Sequence, residues 1–332
     1  MKKSIIIIMM LFWIVISCNS PEADVVFFNG DVYTMEEDQP WAEAVAIKNG
    51  RIIAVSNNSD LIKKFVGSRT RTVDLQGRFL MPGFIDAHVH FNRAGALIND
   101  ANLMAVADNE GLRREMERVC GIIGPGEWIT GGLWGAYEEW ERGADVSRGR
   151  KSGRWQPHRK VIDDLTADNP CLLNSYDYEL YLANSTALSA AGLLAAPVEG
   201  MQLYSDGSPS GLIRKGSPAL GKVQETIKPK SRERLLNENR AALKKLARCG
   251  IVEVHDIAAP EQTGRFVELQ KNGELTCRVW LRPDLSRGEE LIEKGMTMGL
   301  HPETGDKDGR LRYGALKGYI DGIMGTHGAL FF

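Results

Sequence analysis

Met81-Pro82-Gly83-Phe84-Ile85-Asp86-Ala87-His88-Val89-His90 is the stretch on which the reading of this chain turns. A Pro-Gly turn signal is followed by Phe84, Ile85, Ala87 and Val89, a strand-like apolar run that ends on two histidines. Side chains alternate faces along a strand, so His88 and His90 point the same way, about 7 Å apart at roughly 3.4 Å of rise per residue, with Asp86 on that face too. Neutral imidazole is a common zinc ligand, but two nitrogens leave a four-coordinate shell half filled. Spacing alone leaves a chance pair open. The strand context points to a metal site whose other ligands come from elsewhere.

Working outward, the 332 residues are 43% hydrophobic and 25% charged, an ordinary globular composition for one large domain or two smaller ones. The net charge of −2 comes with Lys and Arg spread along the chain, so no basic stripe exists to bind nucleic acid. Lys2 and Lys3 precede an apolar run from Ile5 to Ile16, too short to span a bilayer, which reads as a secretion signal over residues 1–17. Val15-Ile16-Ser17-Cys18 resembles a bacterial lipobox, making Cys18 the lipidated first residue of a protein held at the membrane of the cell envelope, outside the cytoplasm. An uncleaved anchor, or an ordinary signal with a chance cysteine, is the simpler alternative. Cys120, Cys171, Cys249 and Cys277 show no CxxC spacing and read as reduced core residues, with a disulfide left open in an oxidising compartment.

Residues 18–80 read as a small all-β unit. Asn29-Gly30 and Asn49-Gly50 each separate short apolar runs, the hairpin signal of a type I′ turn. Residues 81–332 form the second region, with a long segment of about 101–245 set between its first strand and the rest. That segment has helical stretches from Asn109 to Ile123 and into Glu233 to Ala247, a Trp- and Gly-rich middle from Trp128 to Trp155, and a strand-like Cys171 to Leu173. Its aromatic residues read as packing or as the lining of a substrate cavity. Beyond it, strand Ile251 to Asp256, helix Glu261 to Asn272, strand Cys277 to Leu281, helix Gly288 to Met298 and strand Tyr313 to Tyr319 alternate, which argues for an α/β fold with a parallel sheet.

Thr72-Val73-Asp74-Leu75-Gln76-Gly77-Arg78, leading into Pro82 to His90, resembles the first barrel strand of the metal-dependent amidohydrolase superfamily. The wider chain, from Asp24 to Phe332, resembles the superfamily's amidohydrolase family 3, and Asp206 to Arg214 matches a glycine-containing turn of that family. The resemblance implies a TIM-like (β/α)₈ barrel of which about the first four strands are present. It also implies the N-terminal part of a small β-sandwich and a large insertion after barrel strand 1. On this reading the chain is the N-terminal portion of such a protein, truncated at Phe332, and the bare strand edges of a half-barrel should make the isolated product aggregate.

The resemblance also supplies the chemistry. It implies that Lys317 is carboxylated, turning an ammonium into an anionic carbamate that joins His88 and His90 around a divalent metal, zinc, as one or two ions. From the residues alone, Lys317 reads as an amphipathic lysine with a buried stem and a solvated head. The catalytic aspartate and two further histidines of the superfamily fall beyond Phe332, so the catalytic residue is unknown within this chain. Asp256 and Asp321 lie on the right face without an assigned role. Two departures mark the substrate-binding candidates Glu179 and His327: Tyr178 and Glu179 replace the last two residues of a family segment that usually reads Asp-Gly-His, and His327 stands where the family often has Arg. The activity implied is hydrolysis of carbon–nitrogen bonds other than peptide bonds, in a small amide, N-acyl or N-formyl substrate. The alternatives are a related deaminase and a non-catalytic envelope lipoprotein.

Overall fold

Alternating apolar residues build the first of two units, Met1–Gly83 and Phe84–Phe332, into which the chain divides. The computed structural model describes residues 22–135, 155–257, 260–296, 298–300 and 309–320. In the first unit, β1 (Val25–Phe28), β2 (Asp31–Tyr33), β3 (Trp41–Ala42), β4 (Ala44–Lys48), β5 (Arg51–Ser56), β6 (Arg71–Asp74) and β7 (Phe79–Leu80) form two sheets, ordered β5-β4-β1-β6 and β3-β2-β7. Val26, Ala44 and Ala46 face Ile62 of helix Ser59–Ile62. Their neighbours Phe27, Val45 and Ile47 share a second core with Val32 and Ala42 of the other sheet.

The two Asn-Gly signals part company. Asn49 and Gly50, with φ of 49° and 71°, turn β4 into β5 as a type I′ hairpin requires. Asn29-Gly30 makes no hairpin, against expectation. β1 pairs with β4 and β6 while β2 pairs with β3 and β7, and only Asn29 takes a positive φ, 56°. One left-handed residue does not complete the hairpin turn, and the chain passes instead from one sheet to the other.

The second unit holds two sheets. After β8 (Phe84–Val89) and helix Phe91–Asn99, the inserted segment contributes β9 (Ala101–Asn102), β10 (Gly131–Trp134), β11 (Leu172–Ser175), β12 (Leu180–Ala183), β13 (Met201–Leu203) and β14 (Pro209–Arg214), in the order β13-β14-β12-β11-β10-β9. Consecutive apolar residues supply both faces of this sheet. Leu173, Leu182 and Leu212 meet Leu112, Met116 and Val119 of helix Asn109–Cys120, while Leu172, Ala183 and Ile213 meet helices Ser185–Ala190 and Pro218–Thr226. β10 lies inside the Gly-rich stretch, whose glycines mask its strand character. At Gly132, φ is 120° and a Cβ would stand 2.7 Å from the Asn174 carbonyl oxygen, so only glycine lets β10 approach β11. Trp128 and Trp134 are buried in the two cores, which makes them packing residues.

Helix Arg232–Arg248 begins where the Ser231 side chain accepts from the Arg234 N–H and ends before Gly250, whose φ of 72° makes it the left-handed stop. Its first turns, with Lys230 before them, join a largely buried ion network with Asp100 and Glu127. Lys230 Nζ lies 2.8 Å from Asp100 Oδ2 and 2.6 Å from Glu238 Oε1, and Arg234 bridges Asp100 and Glu127.

β15 (Ile251–Asp256), β16 (Arg278–Leu281) and β18 (Leu311–Tyr313) continue parallel from β8, with β17 (Gly299–Leu300) antiparallel on the outside of β18. One face is apolar: Val254, Val279, Leu281 and Leu311 pack on Phe91, Leu243 and Phe266 from three helices. Two expectations are corrected here. The helix after β16 spans Gly288–Glu293 and stops short of Met298, because Gly295 adopts a φ of 66°. The fourth strand is Leu311–Tyr313 rather than Tyr313 to Tyr319, because the burial of Leu311 against the helix-side core sets its register. Phe84, Ile85, Tyr319 and Ile320 remain exposed. Among the described residues no helix is long and apolar enough to cross a membrane, and Cys120, Cys171, Cys249 and Cys277 are all free thiols, with Cys249 exposed rather than in a core.

Candidate metal site at the strand ends

Parallel pairing aligns the C-terminal ends of β8, β15 and β16, so residues that follow each strand meet at one rim. Val89 turns toward the helix-side core, which leaves His88 and His90 to the other side. Both are exposed, with ring centroids 5.8 Å apart and planes at 67°. His90 is the N-cap of helix Phe91–Asn99 yet makes no side-chain cap bond, and among the described residues neither imidazole is hydrogen-bonded. Asp86, expected on the same face, turns its Oδ1 back to accept from the His88 backbone N–H at 3.0 Å.

His90 is held below the usual histidine pKa, first by partial burial and then by the positive charges of His88, Arg93 and Lys317. The effect favours the neutral ring, the form that ligates a metal. Lys317 is not on a buried strand. It is partly exposed and forms an isolated bridge in which its N–H donates to Pro283 O at 2.8 Å and its carbonyl accepts from Leu285 N at 2.7 Å. Its ammonium lies 4.8 Å from the centroid of the Tyr319 ring.

No group of three His, Cys, Asp or Glu residues that could hold a metal occurs among the described residues. The donors nonetheless fit part of a metal shell: two adjacent imidazoles without hydrogen bonds among the described residues, whereas Lys317 requires conversion to a carbamate before it offers a lone pair to a metal. The other candidates are placed as follows. Glu179 sits in the turn between β11 and β12, where it accepts from Lys215 Nζ at 2.8 Å and thereby raises the Lys215 pKa. His327, Asp321 and Cys18 lie outside the described residues.

Asp256 is a feature to which sequence alone gives no role. At the end of β15 it is 1% exposed; its Oδ1 accepts from the Phe91 N–H at 2.7 Å, and its Oδ2 is buried without a partner. Burial pushes its pKa up to about 6, opposed by the Phe91 bond. It therefore pins the residue that follows His90. On the sheet face opposite the helices, Arg278 donates to Glu253 at 2.7 Å, Glu253 stands 3.4 Å from His255 Nε2, and His255 Nδ1 accepts from Arg282. Trp280 and Arg312 stack beside them. The helix face of this sheet is apolar; the opposite face is charged.

Residues 71–332 match the Amidohydrolase family, in its third group. This chain belongs to that family. Among family relatives it is 26% identical to the protein LONG AFTER FAR-RED 3 of Arabidopsis thaliana over 97% of this chain and 55% of that protein. It is also 26% identical to an N-substituted formamide deformylase of Arthrobacter pascens, over 59% of this chain and 35% of the relative. The chain thus spans about half the length, or less, of these relatives. In architecture it resembles a crystal structure of an uncharacterised metal-dependent hydrolase from Pyrococcus furiosus, with a TM-score of 0.62 and 22% identity over 91% of this chain and 57% of the other.

Proposed function

We propose that this chain is the metal-binding portion of a hydrolase that cleaves carbon–nitrogen bonds other than peptide bonds, in a small amide, N-acyl or N-formyl substrate. The observation that carries the reading is the pair of uncommitted imidazoles at the C-terminal end of the first parallel strand, in a chain of the amidohydrolase family. The similarity to a formamide deformylase supports the bond type. The succession β8-β15-β16-β18 with helices on one face supports reading this sheet as the first four strands of a (β/α)₈ barrel, and the shared core of the first unit's sheets supports a β-sandwich segment.

In this reading His88, His90 and Lys317, as its carbamate, hold a divalent ion, with zinc suited to the imidazole donors. When bound, such an ion lowers the pKa of water toward 7 and polarises a carbonyl. The chain's own residues do the positioning. The low pKa of His90 keeps its lone pair available, the Asp86 carboxylate fixes the backbone at His88, and Asp256 fixes Phe91. We further place the protein at the cell envelope, lipid-anchored through Cys18, on the strength of the Lys2-Lys3 start, the Ile5 to Ile16 run and the residues before Cys18.

The test is metal content with a substrate panel. Purified protein should retain a divalent metal that a His88→Ala, His90→Ala double variant lacks, and the whole hydrolase of which this chain is proposed to be a portion should release amine from N-formyl or N-acyl amines. Equal metal in both proteins would overturn the site, and metal binding without turnover would reduce the chain to a non-catalytic scaffold. Release of ammonia from a ring amine, without amide cleavage, would favour a deaminase. That second reading rests on 33% identity to an adenine deaminase of Petrotoga mobilis over 35% of this chain.

A further inference from the structure

Tyr178 occupies a backbone position that disfavours it. Its φ is 60°, imposed by a tight turn in which its N–H donates to Ser175 O at 3.1 Å and Asp177 Oδ1 accepts from Glu179 N at 3.1 Å. Left-handed backbone is sterically unfavourable for a non-glycine residue, and tyrosine lacks the short polar side chain that lets Asn or Asp tolerate it. What the tyrosine adds is its side chain. The hydroxyl accepts from the Arg93 guanidinium, whose carbon lies 5.6 Å from the Tyr178 ring centroid.

Arg93 is misplaced by structural criteria as well. It is the third residue of helix Phe91–Asn99, whose first turn contains no acidic residue, so its charge opposes the positive end of the helix dipole. It is exposed, and its described contacts are with Tyr178, with no carboxylate within ion-pair distance among the described residues. It also lies three residues past His90, in the first turn of the helix that His90 caps. Two local rules are broken to hold a guanidinium in the turn that follows His90, and the strain at Tyr178 has no return within the turn itself.

We propose that Arg93, positioned by Tyr178, is the specificity-determining residue of the site and takes a carboxylate carried by the substrate. The planar fork of arginine matches a carboxylate with two parallel hydrogen bonds, and the Tyr178 hydroxyl and ring hold one edge of the guanidinium while leaving others open. The substrate class is therefore an N-acyl or N-formyl compound bearing a carboxylate near the scissile bond. This inference rests on the proposed hydrolase reading for its substrate, but its test is a binding measurement.

The probes are N-acetylglycine and N-acetylglycinamide, which differ in whether the end group is a carboxylate, titrated calorimetrically into the full chain with its metal. The wild type should bind the carboxylate at least tenfold more tightly. In Arg93→Gln the ratio should fall to about one, in Arg93→Lys it should be intermediate, and in Tyr178→Phe, which keeps the ring and loses the hydroxyl, it should drop several-fold. Because both ligands are measured on the same preparation, the ratio cancels any loss of folded protein. A wild type without preference, or an Arg93→Gln variant that keeps it, would overturn the proposal. Carboxylate preference without turnover of any amide would leave Arg93 as an anion site while removing the hydrolase reading. Turnover of neutral amides with no preference would do the reverse.

Discussion

The two sheets of the second unit are built from similar strands and put to opposite ends. The inserted sheet is covered on both faces, with Leu172 and Leu173, or Leu212 and Ile213, pointing into different cores. The parallel sheet buries Val254, Val279 and Leu281 on one face only, while Glu253, His255, Arg278 and Trp280 occupy the other and both candidate ligands stand exposed at its rim. The inserted sheet specifies structure through apolar contact on both faces, whereas the parallel sheet keeps one face polar and leaves Phe84 and Ile85 of its edge strand exposed.

Mutations that separate stability from metal binding sharpen this contrast, and those that fail to separate them break it. The largest effect on stability is expected from Leu173→Ala, at a fully buried position of the inserted sheet. Chemical denaturation should show a loss of about 2–5 kcal/mol, with metal content per folded chain unchanged. A change in metal stoichiometry would show that the two sheets are not independent.

Next comes the buried carboxyl under the rim. Asp256 has a folded pKa of about 6 against an ordinary value of 3.8, so between these values the folded protein binds more protons than the unfolded chain. Its contribution to stability is therefore greatest below about pH 4 and falls as the pH rises through 6, by on the order of 3 kcal/mol. In metal-free protein, Asp256→Asn should lack this decline, since an amide keeps an acceptor for the Phe91 N–H without a charge to bury. Denaturation midpoints of the two proteins across pH 4–8 give the comparison, and parallel curves would contradict it.

The smallest change in stability should come from the two candidate ligands. His88→Ala and His90→Ala remove exposed rings without hydrogen bonds among the described residues, and each should shift stability by less than about 0.5 kcal/mol. Elemental analysis should nevertheless find the bound metal gone. A large destabilisation of the metal-free protein would mean that the pair is structural.

Much of the architecture was legible. Gly250 stops helix Arg232–Arg248 and Ile251–Asp256 follows as a strand, because a left-handed stop and a β-branched run are local signals. β10 was not legible, since its glycines are there for close approach to β11 and carry no strand signature. Asn29-Gly30 shows the opposite failure: a true local turn signal whose outcome depended on which strands were available to pair. For the site, the His88 and His90 spacing gave the pair directly. Asp256 and Arg93 gave no such signal, because their roles rest on Phe91 and Tyr178, which lie 165 and 85 residues away in sequence.

Sequence by itself determined the strand that ends in two histidines, the alternation that follows it and the family to which the chain belongs, because periodicity and motif are written in adjacent residues. Only the tertiary structure decided that Lys317 sits in a bridge beyond its strand, that Asp256 is buried beneath the rim, and that Tyr178, in a left-handed turn, bonds Arg93. Those placements depend on strand register and burial, and both are set by contacts between residues far apart in the chain.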